Sequence, residues 1–102
     1  MGVPSAFNPA PKTIAALDAM GLKGKIFFGS FDLSSEIAAA IKDDTIAFAI
    51  DQQPYLQGYL PVVILTNLVR YGVVPGNNIN SGPGFITKAN IAMVEKLAGE
   101  YR

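Results

Sequence analysis

The chain has no cysteine and no histidine. Without cysteine there is no disulfide framework and no thiolate site, and cysteine usage leaves the redox compartment undetermined. Without histidine the commonest metal ligand and the usual neutral-pH general base are both missing. Ser34, Ser35 and Thr13 therefore have no imidazole to activate them, and a hydroxyl without a base is a weak nucleophile. The reading is non-enzymatic, with no cofactor and no metal.

Charge of one sign is lacking too. Eight basic side chains balance eight acidic ones, so no field draws the chain to phosphate backbones or anionic lipid, and nucleic acid is not an expected partner. The most apolar run, "YLPVVILTNLV", falls well short of the roughly 20 residues a membrane helix needs, and Asn67 and Arg70 close it. No membrane insertion is expected. The opening "MGVPSAFNPAP" lacks the charged and apolar regions of a signal peptide, and Ala6 breaks the myristoylation pattern.

What is present is apolar. Half of the 102 residues are hydrophobic, which suits one packed domain. "PAPKTIAALDAMG" after the cap candidate Asn8 reads as a first helix, with Ile14, Leu17 and Met20 at helical spacing before Gly21. "KIFFGSF" reads as a buried strand from about Lys25 to Gly29, with Asp32 just past it. "LSSEIAAAIKDD" predicts a short helix capped by Ser34 or Ser35, with Ile37 and Ile41 on one face, and Asp43 and Asp44 in a solvated turn.

"TIAFAI" is β-branched and apolar, and ends at Asp51, Gln52 and Gln53. From Pro54 to about Tyr71, apolar residues recur at helical period so densely that the helix requires cover on most of its circumference. Pro54 suits its first turn, while Pro61 should kink it. "GVVPGNNINSGPGF" reads as a loop or irregular strand, and "ITKANIAMVEKLAGEYR" as a closing helix capped by Thr87. Strand alternates with helix throughout. The expected class is therefore α/β with a mainly parallel sheet, ligands occupying the crevice beyond the carboxyl ends of the strands.

Two strand ends thus offer Asp32 and the set Asp51, Gln52 and Gln53. A carboxylate accepts hydrogen bonds and an amide both donates and accepts, a combination suited to the adjacent hydroxyls of a sugar. Two plainer readings stand beside it: Asp32 as a turn residue, and the glutamines as solvated side chains. Phe27, Phe28, Phe31 and Phe48 read as core, with Phe31, beside Asp32, also within reach of a ligand. An alternative use of Asp32 as a phospho-acceptor would want further acids and a lysine, and only Glu36 and Lys25 lie near it in sequence.

Taken together, "GKIFFGSFD", "SSEIAAAIKDDTIAFAIDQQPYLQGYLPV" and "GPGFITKANI" resemble the last third of bacterial periplasmic substrate-binding proteins for sugars, of the ribose-binding type. The ligand domains of lac-repressor-type regulators share that fold core. The resemblance implies a three-layer fragment of a type I periplasmic-binding fold, with pieces of two lobes: residues 1–48 and 82–102 from the second, and 53–80 from the first. It implies a monosaccharide ligand, an ABC-transporter permease as partner of the full-length protein, and a periplasmic location. By the same likeness Asp32 and Gln52 match ligand-binding positions, with Gln53 the alternative to Gln52 and Asn8 a further match.

"AIDQQP" then looks like a hinge crossing between lobes. A full family member has roughly two lobes' worth of chain, so 102 residues are expected to be a truncated unit with weak or no binding alone. A structural fragment without ligand is the alternative, as is a ligand-sensing regulator domain. Incomplete lobes leave apolar faces open, so a homodimer or higher even oligomer is expected, centred on Leu56, Leu60, Val63 and Ile64.

Overall fold

The alternation of apolar strand segments with helices is realised in a computed structural model that describes residues 2–3, 9–98 and 100–101. The elements are β1 (Gly2–Val3), α1 (Pro9–Ala19), β2 (Gly29–Phe31), α2 (Ser35–Lys42), β3 (Phe48–Asp51), α3 (Pro54–Tyr71) and β4 (Gly84–Ile86). Two 3₁₀ turns, Ile91–Met93 and Glu95–Leu97, follow. The strands lie in the order β1-β2-β3-β4. The first three are parallel and β4 runs antiparallel to β3, so the sheet is mixed but mainly parallel.

Helix α2 forms where its cap and its apolar spacing agree. Ser34 is the cap, its Oγ accepting the Ile37 N–H at 3.2 Å. Ile37, Ala38, Ala40 and Ile41 are buried against a core that includes Phe28, Leu33, Ile46, Ala49 and Ile86. Burying each of the larger side chains is worth about 1.5–3 kcal/mol, so this layer carries most of the stability of the body. Leu17 of α1 joins the same core, whereas Met20 is exposed. The cap candidate Asn8 lies outside the described residues.

Two predicted elements are displaced. The strand expected over residues 25–29 forms instead at Gly29–Phe31. Gly24 in the left-handed region and a Lys25 N–H bond to the Leu22 carbonyl at 3.0 Å keep that stretch in a turn. Pairing starts at Gly29, where a Cβ would stand 2.6 Å from the Phe48 ring, so only glycine admits so close an approach. Phe27 is consequently exposed while Phe28 is fully buried.

The closing helix expected from Thr87 is replaced by the 3₁₀ turns. Thr87 does not cap with its hydroxyl. Its N–H donates to Asn90 Oδ1 at 2.7 Å, and Asn90 Nδ2 donates to the Phe85 carbonyl at 2.9 Å. Such local side-chain bonds compete with α-helical pairing. Bonds from Val94 to Ile91 and from Leu97 to Val94, at 3.0 and 2.9 Å, set a three-residue spacing. That spacing stacks Ile91 and Val94 in one line toward the core, where both are buried.

Helix α3 spans Pro54–Tyr71 and continues through Pro61. None of its residues is buried, and it makes no extensive contact with any other element. The Tyr55 ring stacks on Tyr59 and meets the edge of Tyr101. With α3 projecting, the molecule measures 59 × 23 × 21 Å and its radius of gyration is 16.8 Å, against about 13 Å for a compact domain of this length. No helix among the described residues is long and apolar enough to cross a membrane.

Candidate functional site

Strands β2 and β3 are neighbours, with Phe31 opposite Ile50, so the residues that follow them leave the sheet side by side. Asp32 enters the left-handed region with φ 66° and ties its own N–H to the Ile50 carbonyl at 2.8 Å. One strand over, Gln52 Nε2 donates to Asp32 Oδ1 at 2.7 Å. The two residues singled out from the sequence are thus joined at the carboxyl ends of adjacent parallel strands. Asp32 is half-buried and Gln52 exposed, so both reach solvent.

The pair retains bonding capacity. Gln52 keeps a second amide proton and its carbonyl oxygen, and Asp32 keeps its other carboxylate oxygen. That arrangement can take up one lone pair and two hydroxyl protons from neighbouring positions on a ligand. Phe31, half-buried at the end of β2, lies next to Asp32 in the chain.

Asp51 and Gln53 do different work. Asp51 lies within the sheet, 1% exposed, and its Oδ1 accepts the Gln53 N–H at 2.8 Å. It faces inward, so the expectation that it belongs to the open polar set is corrected. Gln53 has φ 55° and ψ 62°, a left-handed conformation that costs a non-glycine residue of order 1 kcal/mol and persists only where its surroundings enforce it. Its Nε2 donates to the Ser81 carbonyl at 2.6 Å. Asn8 lies outside the described residues.

Sequence reasoning missed Ser81 and Gln57. Gln57 Nε2 donates to the main-chain carbonyl of Gln52 at 2.9 Å and to Ser81 Oγ at 3.1 Å. The stretch before β4 therefore runs directly beside the exit from β3. At Gly82 a Cβ would stand 3.0 Å from the Asp51 carbonyl, so a larger residue there requires the neighbouring backbone to give by a few tenths of an ångström. The available signal was Gln57 itself, one of few polar residues on an otherwise apolar helix.

The carboxyl of Glu36 in the first turn of α2 is held below its usual range, first by hydrogen bonding from its own backbone N–H and then by the Ser34 hydroxyl. Among the described residues no three acidic side chains gather to hold a metal ion.

An open α/β sheet with polar side chains gathered at adjacent carboxyl strand ends defines a class whose ligands occupy that crevice. A family model described as a periplasmic binding protein domain matches residues 3–72. The chain belongs to that family. It is 44% identical over 69 residues to the xylose/arabinose-binding protein XylF of Sulfolobus acidocaldarius, a match covering 67% of this chain and 17% of that protein.

Among solved structures, a carbohydrate transporter from Acidothermus cellulolyticus 11B in complex with myo-inositol superposes with a TM-score of 0.81 at 31% identity. The superposition covers 95% of this chain and 34% of that one. A galactofuranose-binding protein superposes with a TM-score of 0.68 at 20% identity, over 86% of this chain and 30% of that one; it shares the fold. The chain thus spans about a third or less of the length of these relatives.

Proposed function

We propose that this chain binds a monosaccharide, without catalysis, as part of an ABC-type sugar uptake system acting outside the cytoplasmic membrane. Asp32 accepts a hydrogen bond from a sugar hydroxyl through its other carboxylate oxygen, Gln52 both donates and accepts, and Phe31 offers a ring to the apolar face of the sugar. The observation that carries this reading is the 2.7 Å bond between Gln52 and Asp32 at the ends of β2 and β3. Gln53, whose amide is turned to the Ser81 carbonyl, serves the backbone turn and not the ligand. The names of the relatives, with xylose, arabinose and inositol among them, support a small polyol as the ligand class.

The test is a thermal-stabilisation titration of the chain with xylose, arabinose, galactose and myo-inositol. At a hundredfold excess over Kd, a bound sugar adds about 2.7 kcal/mol, which raises Tm by roughly ten degrees or more in a domain of this size. Asp32→Ala should abolish that rise, because the hydroxyls lose a charge-assisted acceptor. A flat response from the unmodified chain across the sugars overturns the reading for this chain.

The uncovered helix α3 supports a second element of the reading, self-association. Leu56, Leu60, Val63 and Ile64 are half-buried. Val62, Leu65 and Val69, exposed at 65%, 58% and 84%, form the open side with Thr66 and Arg70. The contact between two copies takes in this open side together with Leu56, Leu60, Val63 and Ile64.

A further inference from the structure

We infer that Gln57, acting with Ser81, is a positioning residue that fixes Gln52 in its ligand-facing orientation before any ligand arrives. The single amide group of Gln57 spans two segments of chain, donating one proton to the Gln52 carbonyl at 2.9 Å and the other to Ser81 Oγ at 3.1 Å. Ser81 is bound a second time, through its carbonyl, by Gln53 Nε2 at 2.6 Å. Gln53 is in turn held in its left-handed conformation by the Asp51 carboxylate accepting its N–H. At Gly82 the two segments run so close that an added Cβ would stand 3.0 Å from the Asp51 carbonyl.

These contacts enclose the peptide on the C-terminal side of Gln52. Its carbonyl is occupied, the next residue is locked in an otherwise unfavourable backbone conformation, and its side chain reaches across to Asp32. Removing the Gln57 amide releases the Gln52 carbonyl and separates the two segments at Ser81. The left-handed turn at Gln53 then loses part of what enforces it, and Gln52 samples other orientations. Binding weakens because the lost order must be restored on association, a cost that preorganisation otherwise removes. Gln57 itself need not touch the ligand.

The ligand readout of this inference rests on the sugar-site reading of Asp32 and Gln52; its structural readout does not. Gln57→Met keeps the length and helix preference of the side chain without its donors, and Gln57→Lys restores a donor. In the ¹⁵N-labelled chain, the Gln52 side-chain amide signals should move in Gln57→Met, with faster proton exchange. They should return toward their original positions in Gln57→Lys, while the methyl signals of Ile37 and Ile41 stay fixed. In parallel, titration with xylose, arabinose or myo-inositol should give a Kd about five- to tenfold weaker in Gln57→Met, the scale of one hydrogen bond.

Unchanged Gln52 signals in Gln57→Met overturn the inference, whatever the sugars do. Moved signals with an unchanged Kd overturn its ligand half. If no sugar binds the unmodified chain while the Gln52 signals still follow Gln57, the positioning stands and the sugar reading is the part that fails.

Discussion

Helices α2 and α3 are both rich in apolar residues, yet four of the eight residues of α2 are buried and none of the eighteen of α3 is. In α2 the apolar side chains share one face, and the sheet with its neighbouring turns covers that face completely. In α3 they surround the helix, so no single layer could bury them, and the described residues supply none that buries any of them fully. Apolar content therefore states a demand for cover; only the arrangement of that content says whether one sheet can meet it. The candidate site sits at the boundary between these two regimes, where the covered sheet ends and the uncovered helix begins.

Truncating one residue on each helix breaks or sharpens this contrast most strongly. Ile41→Ala, at a position 1% exposed, should destabilise the chain by about 2–5 kcal/mol through lost burial and the cavity left behind. Leu65→Ala, at a position 58% exposed, should change stability by no more than about 0.5 kcal/mol. Equilibrium urea denaturation of both variants, at a protein concentration below that at which the chain associates, measures the difference. Equal costs would mean that α3 is covered in solution.

The same contrast explains what could be read from the sequence. Helix α3 is bounded as expected because Pro54 opens it and Gly72, in the left-handed region, ends it, both of them local signals. Ser34, Ile37 and Ile41 likewise reveal α2 through a cap and a spacing. Asp32 and Gln52 were legible as strand-end residues, since a ladder of parallel strands brings such ends together whatever the details. Long-range contacts were not legible. The start of β2 depends on the Phe48 ring seated over Gly29, and the loss of the closing helix depends on Asn90 bonding back to Phe85. The partnership of Gln57 with Ser81 joins residues 24 positions apart. Gln57 stands out as one of few polar residues on an apolar helix, but nothing near it in the chain points to Ser81 as its partner.

Association is the next way to sharpen the comparison. If a second copy covers the open side of α3, light scattering should give a dimer at micromolar concentration, with a contact of at least roughly 1,000 Å². Val69→Ser should shift that equilibrium toward monomer, since it removes an apolar side chain 84% exposed in the single chain. Ile41→Ala, on the covered helix, should leave association unchanged at temperatures where the variant stays folded. A stable monomer at every concentration would assign the open side of α3 to some other cover.

The smallest expected effect concerns a carboxylate at the end of α2, where α3 carries the opposite charge of Arg70. Asp43 Oδ1 accepts the Thr45 N–H at 3.0 Å, and its Oδ2 lies 3.2 Å from Lys23 Nζ. Burial alone would raise its pKa, but hydrogen bonding from Thr45 and the ammonium of Lys23 outweigh that and hold the carboxyl below its ordinary value of 3.8. The folded-state pKa being the lower one, the stabilisation is complete above the unfolded value, from about pH 5 upward, and is lost as pH falls through the depressed value. Asp43→Asn keeps an acceptor for Thr45 while removing the charge. Because the carboxylate is about half exposed, the variant should cost only a few tenths of a kcal/mol near neutrality. The gap between variant and parent should close as the pH is lowered through the depressed value of the carboxyl, below 3.8, measured by denaturation at each pH. The Leu65→Ala difference, which involves no titrating group, should stay constant over the same range. A gap for Asp43→Asn that persists unchanged into acid would show that the substitution acts through packing of the turn and not through the charge.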